Sequence, residues 1–321
     1  MVRRRGVVVF VAGGALALAL GGVLLRVGTE HSPGSAAASG PAGASGPAVS
    51  DVGGGGVAAA SGAQRAIDPE LFNPGACVAF PPTSGDRRQT VFLDAGHGGI
   101  DPGGVGSTEA GATVEESTVN LAIELDAMAI LRSQGYSVVV SRTQNTTVTR
   151  LTAGDVDGSL LTAQGVFNDV TARDVCANMA RANVLVGIYM DSGEPWNAGC
   201  LTGYDQDRPF SGDNLRLATL LQDDVLGAMN AHGWNIPDEG VQSDTGLGSA
   251  LTAQAEAYGH LLLLGPAEAG YFDTPSQMPG ALIEPLFVTD PFEASIAASA
   301  QGQHVIASAL AKAIEQYLTD V

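Results

Sequence analysis

From residue 91 onward, apolar and polar positions fall into short blocks of two alternating kinds. Val91–Asp94 (VFLD) is a β-forming run that ends in a glycine-bounded turn carrying His97. Glu115–Gln134 places Val119, Ile123, Ala127, Ile130 and Leu131 on one face and stops at Gly135, which predicts a helix. Tyr136–Ser141 predicts a second strand, Val170–Arg181 a second helix, and the continuous run Val184–Tyr189 (VLVGIY) a central strand covered on both faces. Further on, Cys200–Tyr204 predicts a short edge strand and Leu215–Ala231 a helix stopped at Gly233. Leu261–Leu264 and Ala281–Ile283 predict two more buried strands, and Ile296–Leu318 a long closing amphipathic helix. Strands and helices take turns, so the predicted class is α/β: a single mainly parallel twisted sheet with helices on both faces, joined by right-handed crossovers.

The chain before this block reads differently. Arg3, Arg4 and Arg5 precede an uncharged run, Gly6–Leu25, long enough to cross a bilayer as a helix, which predicts a membrane anchor or signal peptide over residues 1–26. The arginines orient its amino terminus to the cytoplasm and the remainder outward. Residues 27–66 are almost wholly Ala, Gly, Ser and Pro, a composition that buries too little apolar surface to offset chain entropy and so reads as a linker. The folded domain is then residues 67–321. It is expected outside the cytoplasm, tethered to the cell membrane by the N-terminal helix alone, or secreted if that helix is cleaved.

Charge narrows the partners. The formal net charge is -19, and Arg3, Arg4, Arg5, Arg26 and Arg65 all lie before the predicted domain, which is therefore more acidic still. Such a surface argues against nucleic acid and anionic lipid. Cys77, Cys176 and Cys200 all fall in the exported part, where one disulfide can form and one thiol is left over; spacing does not choose the pair.

Candidate chemistry gathers where strands end or helices begin: His97, Glu116, the segment Tyr189–Asp191, and Glu284. In open α/β sheets the carboxyl edge of the strands is where ligands bind. A histidine and a carboxylate there can hold zinc, and a second carboxylate can move a proton. Between Gly265 and Met278 a loop carrying Tyr271 and Phe272 either roofs this groove or is pinned down by those rings.

Four stretches resemble the zinc-dependent N-acetylmuramoyl-L-alanine amidases of the amidase 3 family. VFLDAGHGGIDPGG is similar to the first ligand motif, with His97 as the histidine, and EESTVNLAIEL to the second, with Glu116 as the ligand glutamate. RDVCANMARANVLVGIYMD follows the third motif and PGALIEPLFVTD the fourth, with Glu284 matching the catalytic acid/base. The resemblance runs from about Thr90 to Leu318 and implies a Zn2+ cofactor and a peptidoglycan substrate, cleaved between N-acetylmuramic acid and the L-alanine of the stem peptide. At the second ligand histidine this chain has Tyr189. Tyr189 as phenolate, Asp191, or His260 at the start of the predicted strand Leu261–Leu264 are three ways to complete a metal shell. Two functions follow from different classes: a wall hydrolase, or an inactive amidase-like module that binds peptidoglycan or regulates other wall hydrolases.

Overall fold

The structure, a computed structural model, describes residues 64–248 and 250–319. The predicted anchor and nearly all of the linker lie outside the described residues. In chain order the strands and helices are β1 (Arg65–Ala66), β2 (Ala76–Phe80), β3 (Thr90–Ala95), β4 (Val105–Ser107), β5 (Thr113–Glu115), α1 (Glu116–Ser133), β6 (Ser137–Arg142), β7 (Val156–Asp157), β8 (Leu160–Leu161) and α2 (Ala163–Ala180). They continue with β9 (Val184–Ile188), β10 (Cys200–Tyr204), α3 (Ser211–Ala231), β11 (Asp238–Ser243), α4 (Ala253–Tyr258), β12 (Gly280–Glu284), α5 (Pro291–Ala297) and α6 (Ala300–Thr319).

Eight strands form one sheet in the order β1-β2-β6-β3-β9-β12-β10-β11. Its centre, β6, β3, β9 and β12, is parallel, and β10 joins antiparallel to β12 and parallel to β11. The period-2 geometry of a strand decides what each face meets. Val91, Leu93, Val138, Val140, Val184, Val186, Ala281 and Ile283 point into a core shared with α1, α3 and α6. Phe92, Val139, Leu185 and Leu282 point to the other face, where Cys176 and Ala177 of α2 cover them. Helices thus lie on both faces, as the pattern predicts. The disulfide is Cys77–Cys176, tying β2 to α2, and Cys200 is a buried free thiol.

Three expectations need correction. Cys200–Tyr204 is not an edge strand: β11 pairs outside it, and β11 (DEGVQS) is too polar to betray itself as a strand. Leu261–Leu264 is a turn, closed by the amides of Leu264 and Gly265 donating to the Leu261 carbonyl at 3.1 and 2.8 Å. Its leucines still fill the face shared with α2, and a short apolar run alone does not distinguish these two kinds of burial. The closing helix is two helices. Asp290 caps α5 by accepting from the Glu293 amide, Pro291 occupies its first turn, and the chain breaks at Ala298–Ser299. A Cβ at Gly302 would collide with the Ile296 carbonyl oxygen, so only glycine lets α6 start this close to α5.

Candidate active site

The strand ends assemble the site. β3 delivers Asp94 and Ala95 and then turns through His97, whose φ of 62° is a left-handed conformation that a non-glycine residue holds only when its surroundings enforce it. Two buried arginines do so. Arg173 on α2 donates to the carbonyls of Ala95 (2.7 Å) and His97 (2.8 Å), and its guanidinium also pairs with Asp94 (2.6 Å) and Asp169 (2.7 Å). Arg142, at the end of β6, donates to the carbonyls of Ala95 and Gly96, both at 3.1 Å, and to that of Ser117. Arg173 is thus engaged with Asp94 and Asp169.

The His97 ring is held at both nitrogens. Nδ1 lies 2.8 Å from Asp101 Oδ2 and Nε2 lies 3.3 Å from Glu116 Oε1. Burial lowers the imidazole pKa, but Glu116 and Asp101 outweigh it and raise the group to about 10. Glu116 opens α1 and is buried. Its Oε2 accepts from the Gly104 amide (2.8 Å), and its Oε1 accepts from the Met190 amide (3.0 Å) and from Asn120 (3.3 Å). Its carboxylate is buried and aimed at His97. Gly103 makes room for this pair: a Cβ there would sit 2.5 Å from Glu116 Oε2 and 2.7 Å from the His97 ring, at a backbone φ of +67°.

Tyr189 follows β9, and its amide donates to the Ile283 carbonyl at 3.0 Å. Its hydroxyl donates to Asp94 Oδ2 at 3.1 Å, and its ring stands edge-on to His97 with centroids 5.6 Å apart. Burial and the Asp94 carboxylate hold the phenol well above its ordinary pKa. Glu284 ends β12 on the same edge, beside the segment Tyr189–Asp191. Burial, with Asp191 and Glu116 close by, pushes its carboxyl well above the usual range. Burial likewise lifts Asp191 to about 6.

These observations set His97 and Glu116 against Glu284 at the carboxyl edge, and the comparisons with known proteins give them a family. The Amidase_3 family, N-acetylmuramoyl-L-alanine amidase, matches residues 91–316, most of the chain and the whole of the site. The chain belongs to that amidase family.

Its solved relatives share the fold at low identity. The catalytic domain of the N-acetylmuramoyl-L-alanine amidase CwlV from Bacillus (Paenibacillus) polymyxa var. colistinus is 21% identical with a TM-score of 0.50, over 72% of this chain and 98% of that one. The CwlD amidase of Clostridioides difficile, solved with the GerS lipoprotein, is 21% identical with a TM-score of 0.52, over 73% and 100%. Among curated proteins, the uncharacterized protein YqiI of Bacillus subtilis (strain 168) is 27% identical over 231 residues, 71% of this chain and 84% of that one.

The amidase site is compatible with a metal at two of its three expected positions. Two ligand atoms about 2.0–2.1 Å from a tetrahedral zinc stand roughly 3.3 Å apart, the separation of His97 Nε2 and Glu116 Oε1. Asp101 on the far ring nitrogen is the carboxylate that orients a ligand histidine. At the third position the Tyr189 hydroxyl donates a hydrogen bond to Asp94 at 3.1 Å. His260 is not brought to this rim. β10 runs against β12 with Leu201 opposite Glu284, so the far end of β10, where His260 packs against Asp205, is the opposite edge of the sheet.

Residues that sequence reasoning passed over complete the picture. Asp101 was legible as an acid four residues after His97, whereas Asp94, Asp169 and Arg142 gain their roles only through packing. Trp196, 76% exposed on the loop after β9, offers a bare indole at the same edge. Tyr271 and Phe272 pin their loop down: their rings pack against Phe167 at 5.1 and 6.4 Å and against Tyr258.

Proposed function

We propose that this chain is an exported cell-wall hydrolase that cleaves the amide between N-acetylmuramic acid and the L-alanine of the peptidoglycan stem peptide. The observation that carries this reading is the His97–Glu116 pair, its glutamate fully buried, at the same sheet edge as Glu284, in a chain of the amidase family. The family is metal-dependent, and we assign zinc to His97 and Glu116. Zinc there supplies a Lewis acid for the scissile carbonyl and for water. Glu284 moves the proton: hydrolysis breaks the C–N bond, adds water across it, and requires a proton on the departing amine. Asp101 fixes the His97 ring, and Arg173 and Arg142 hold the strained turn that presents it. The exposed Trp196 gives a sugar or peptide a face on which to stack. Action beyond the membrane is supported by the Cys77–Cys176 disulfide, which belongs to an oxidising compartment.

The test is incubation of the purified full-length chain with intact peptidoglycan, followed by mass spectrometry of the soluble products. Free stem peptides with an L-alanine amino terminus are expected, and Glu284→Gln is expected to slow their release by about 10²-fold or more. Stem peptides that stay attached to glycan would refute the proposal. The second reading, an amidase-like module that binds or regulates without cutting, is favoured by one observation, the Tyr189–Asp94 bond in place of a ligand. It predicts sedimentation with peptidoglycan and no released peptide.

A further inference from the structure

The strongest unexplained cluster lies on the opposite edge of the sheet. β10 and β11 run parallel, with Tyr204 opposite Ser243, so the residues that follow them, Asp205 and Asp244, emerge side by side. Both are fully buried. The chain then passes through α4 and returns His260 between them.

The polar groups here do not satisfy one another. Asp205 Oδ1 accepts from the Asp207 amide (2.7 Å), and Asp244 Oδ2 accepts from the Leu261 amide (3.0 Å). His260 Nδ1 sits 2.9 Å from Asp205 Oδ2, 3.4 Å from Asp244 Oδ2 and 3.5 Å from Asp244 Oδ1. A ring nitrogen carries at most one hydrogen, so Nδ1 can serve at most one of these three oxygens. Asp205 Oδ2 is left buried, aimed into the cluster, and without a hydrogen-bond donor. Arg208 forms no ion pair with it and donates instead to the carbonyls of Leu264, Gly265 and Ser276. A buried unpartnered carboxylate oxygen beside a second buried carboxylate is costly unless a cation shares both.

The spacing suits such a cation. One ligand atom from each of the three residues falls within 4.8 Å of the others, and the separations from His260 Nδ1 bracket the roughly 3.3 Å between two ligands of a tetrahedral ion. One imidazole nitrogen with two carboxylates is a donor set for zinc or a neighbouring transition ion; calcium and magnesium prefer oxygen alone.

We propose that Asp205, Asp244 and His260 bind a divalent transition-metal ion, zinc by its donor set, which clamps the ends of β10 and β11 to the segment following α4. The site is separate from the His97–Glu116 pair and does not depend on the hydrolase reading.

The test uses the full-length chain, stripped with a chelator and titrated with zinc chloride. His97→Ala, which disables the rim pair, is expected to retain one tightly bound zinc per chain, and adding His260→Gln to weaken that zinc at least 100-fold. Zinc-edge anomalous diffraction from wild-type crystals is expected to show a peak among Asp205, Asp244 and His260, and it decides the matter even if a variant fails to fold. No peak there at millimolar zinc, or loss of all bound zinc in a folded His97→Ala chain, would overturn the proposal.

Discussion

Removing the Cys77–Cys176 cross-link is expected to cost stability without altering the native site. The bond spans a sequence separation of 99 residues. Closing a loop of that length removes about 4.7 kcal/mol of conformational freedom from the unfolded chain, by the chain-entropy relation. At about 2–4 °C per kcal/mol for a domain of this size, the melting temperature should fall by roughly 9–19 °C. The bond joins β2 to α2, and α2 carries Arg173 and Asp169, which hold the His97 turn through their own ion pairs. Because the effect acts on the unfolded state, the folded fraction should keep its activity. Circular dichroism melts of the oxidised chain and of a Cys77→Ala/Cys176→Ala variant, with peptide release measured at 25 °C, separate the two effects. A loss below about 1 kcal/mol, or inactivity of the variant while it remains folded, would refute the reasoning.

Arg173→Met strands the buried Asp94 and Asp169 carboxylates and should cost about 3–5 kcal/mol in a urea titration; a cost under 1 kcal/mol would mean that these pairs do not hold the turn. Tyr189→His removes the donor to Asp94 and supplies an imidazole, and is expected to raise zinc retention at the rim after dialysis, measured by elemental analysis in a chain carrying His260→Gln. Unchanged retention would show that Tyr189 is not what limits the shell. Trp196→Ala should raise KM on peptidoglycan several-fold and leave kcat near its starting value; a fall in kcat alone would contradict a stacking role. Glu124 and Glu293 are raised to about 8 and about 7, chiefly by burial. Groups whose folded pKa lies above the unfolded value contribute stability that is present at low pH and lost as pH rises through the folded pKa. Melting temperature should therefore fall between pH 5 and pH 9, and Glu124→Gln should flatten that fall. A stability that rises over this range would refute the assignment.

The central strands and main helices were legible because their signals are local. Val91–Asp94 declares a strand through its valine and phenylalanine before a glycine turn, Val184–Tyr189 through its β-branched residues, and Val119, Ile123 and Ala127 recur at helical spacing. The first turns of α2 were missed because Gln164, Asn168 and Asp169 conceal its period; the Thr162 cap, accepting from the Gly165 amide, was the available signal. β11 was invisible for the opposite reason, since a polar strand at a sheet edge needs no apolar face. The leucines of 261–264 announced burial correctly but not its geometry.

For the site, the sequence alone determined which residue types are at hand: a histidine in a glycine-rich turn, glutamates at a helix start and a strand end, and a tyrosine where relatives of the resemblance have histidine. These are facts of order along the chain. Tertiary structure decided their partners. It placed Glu116 against His97, gave the Tyr189 hydroxyl to Asp94, and carried His260 to the far edge beside Asp205 and Asp244. The reason is physical: an antiparallel β10 reverses which end of the sheet a following loop reaches, and a buried donor bonds to whichever acceptor packing leaves within 3 Å or so. Neither direction nor proximity is written in the local pattern.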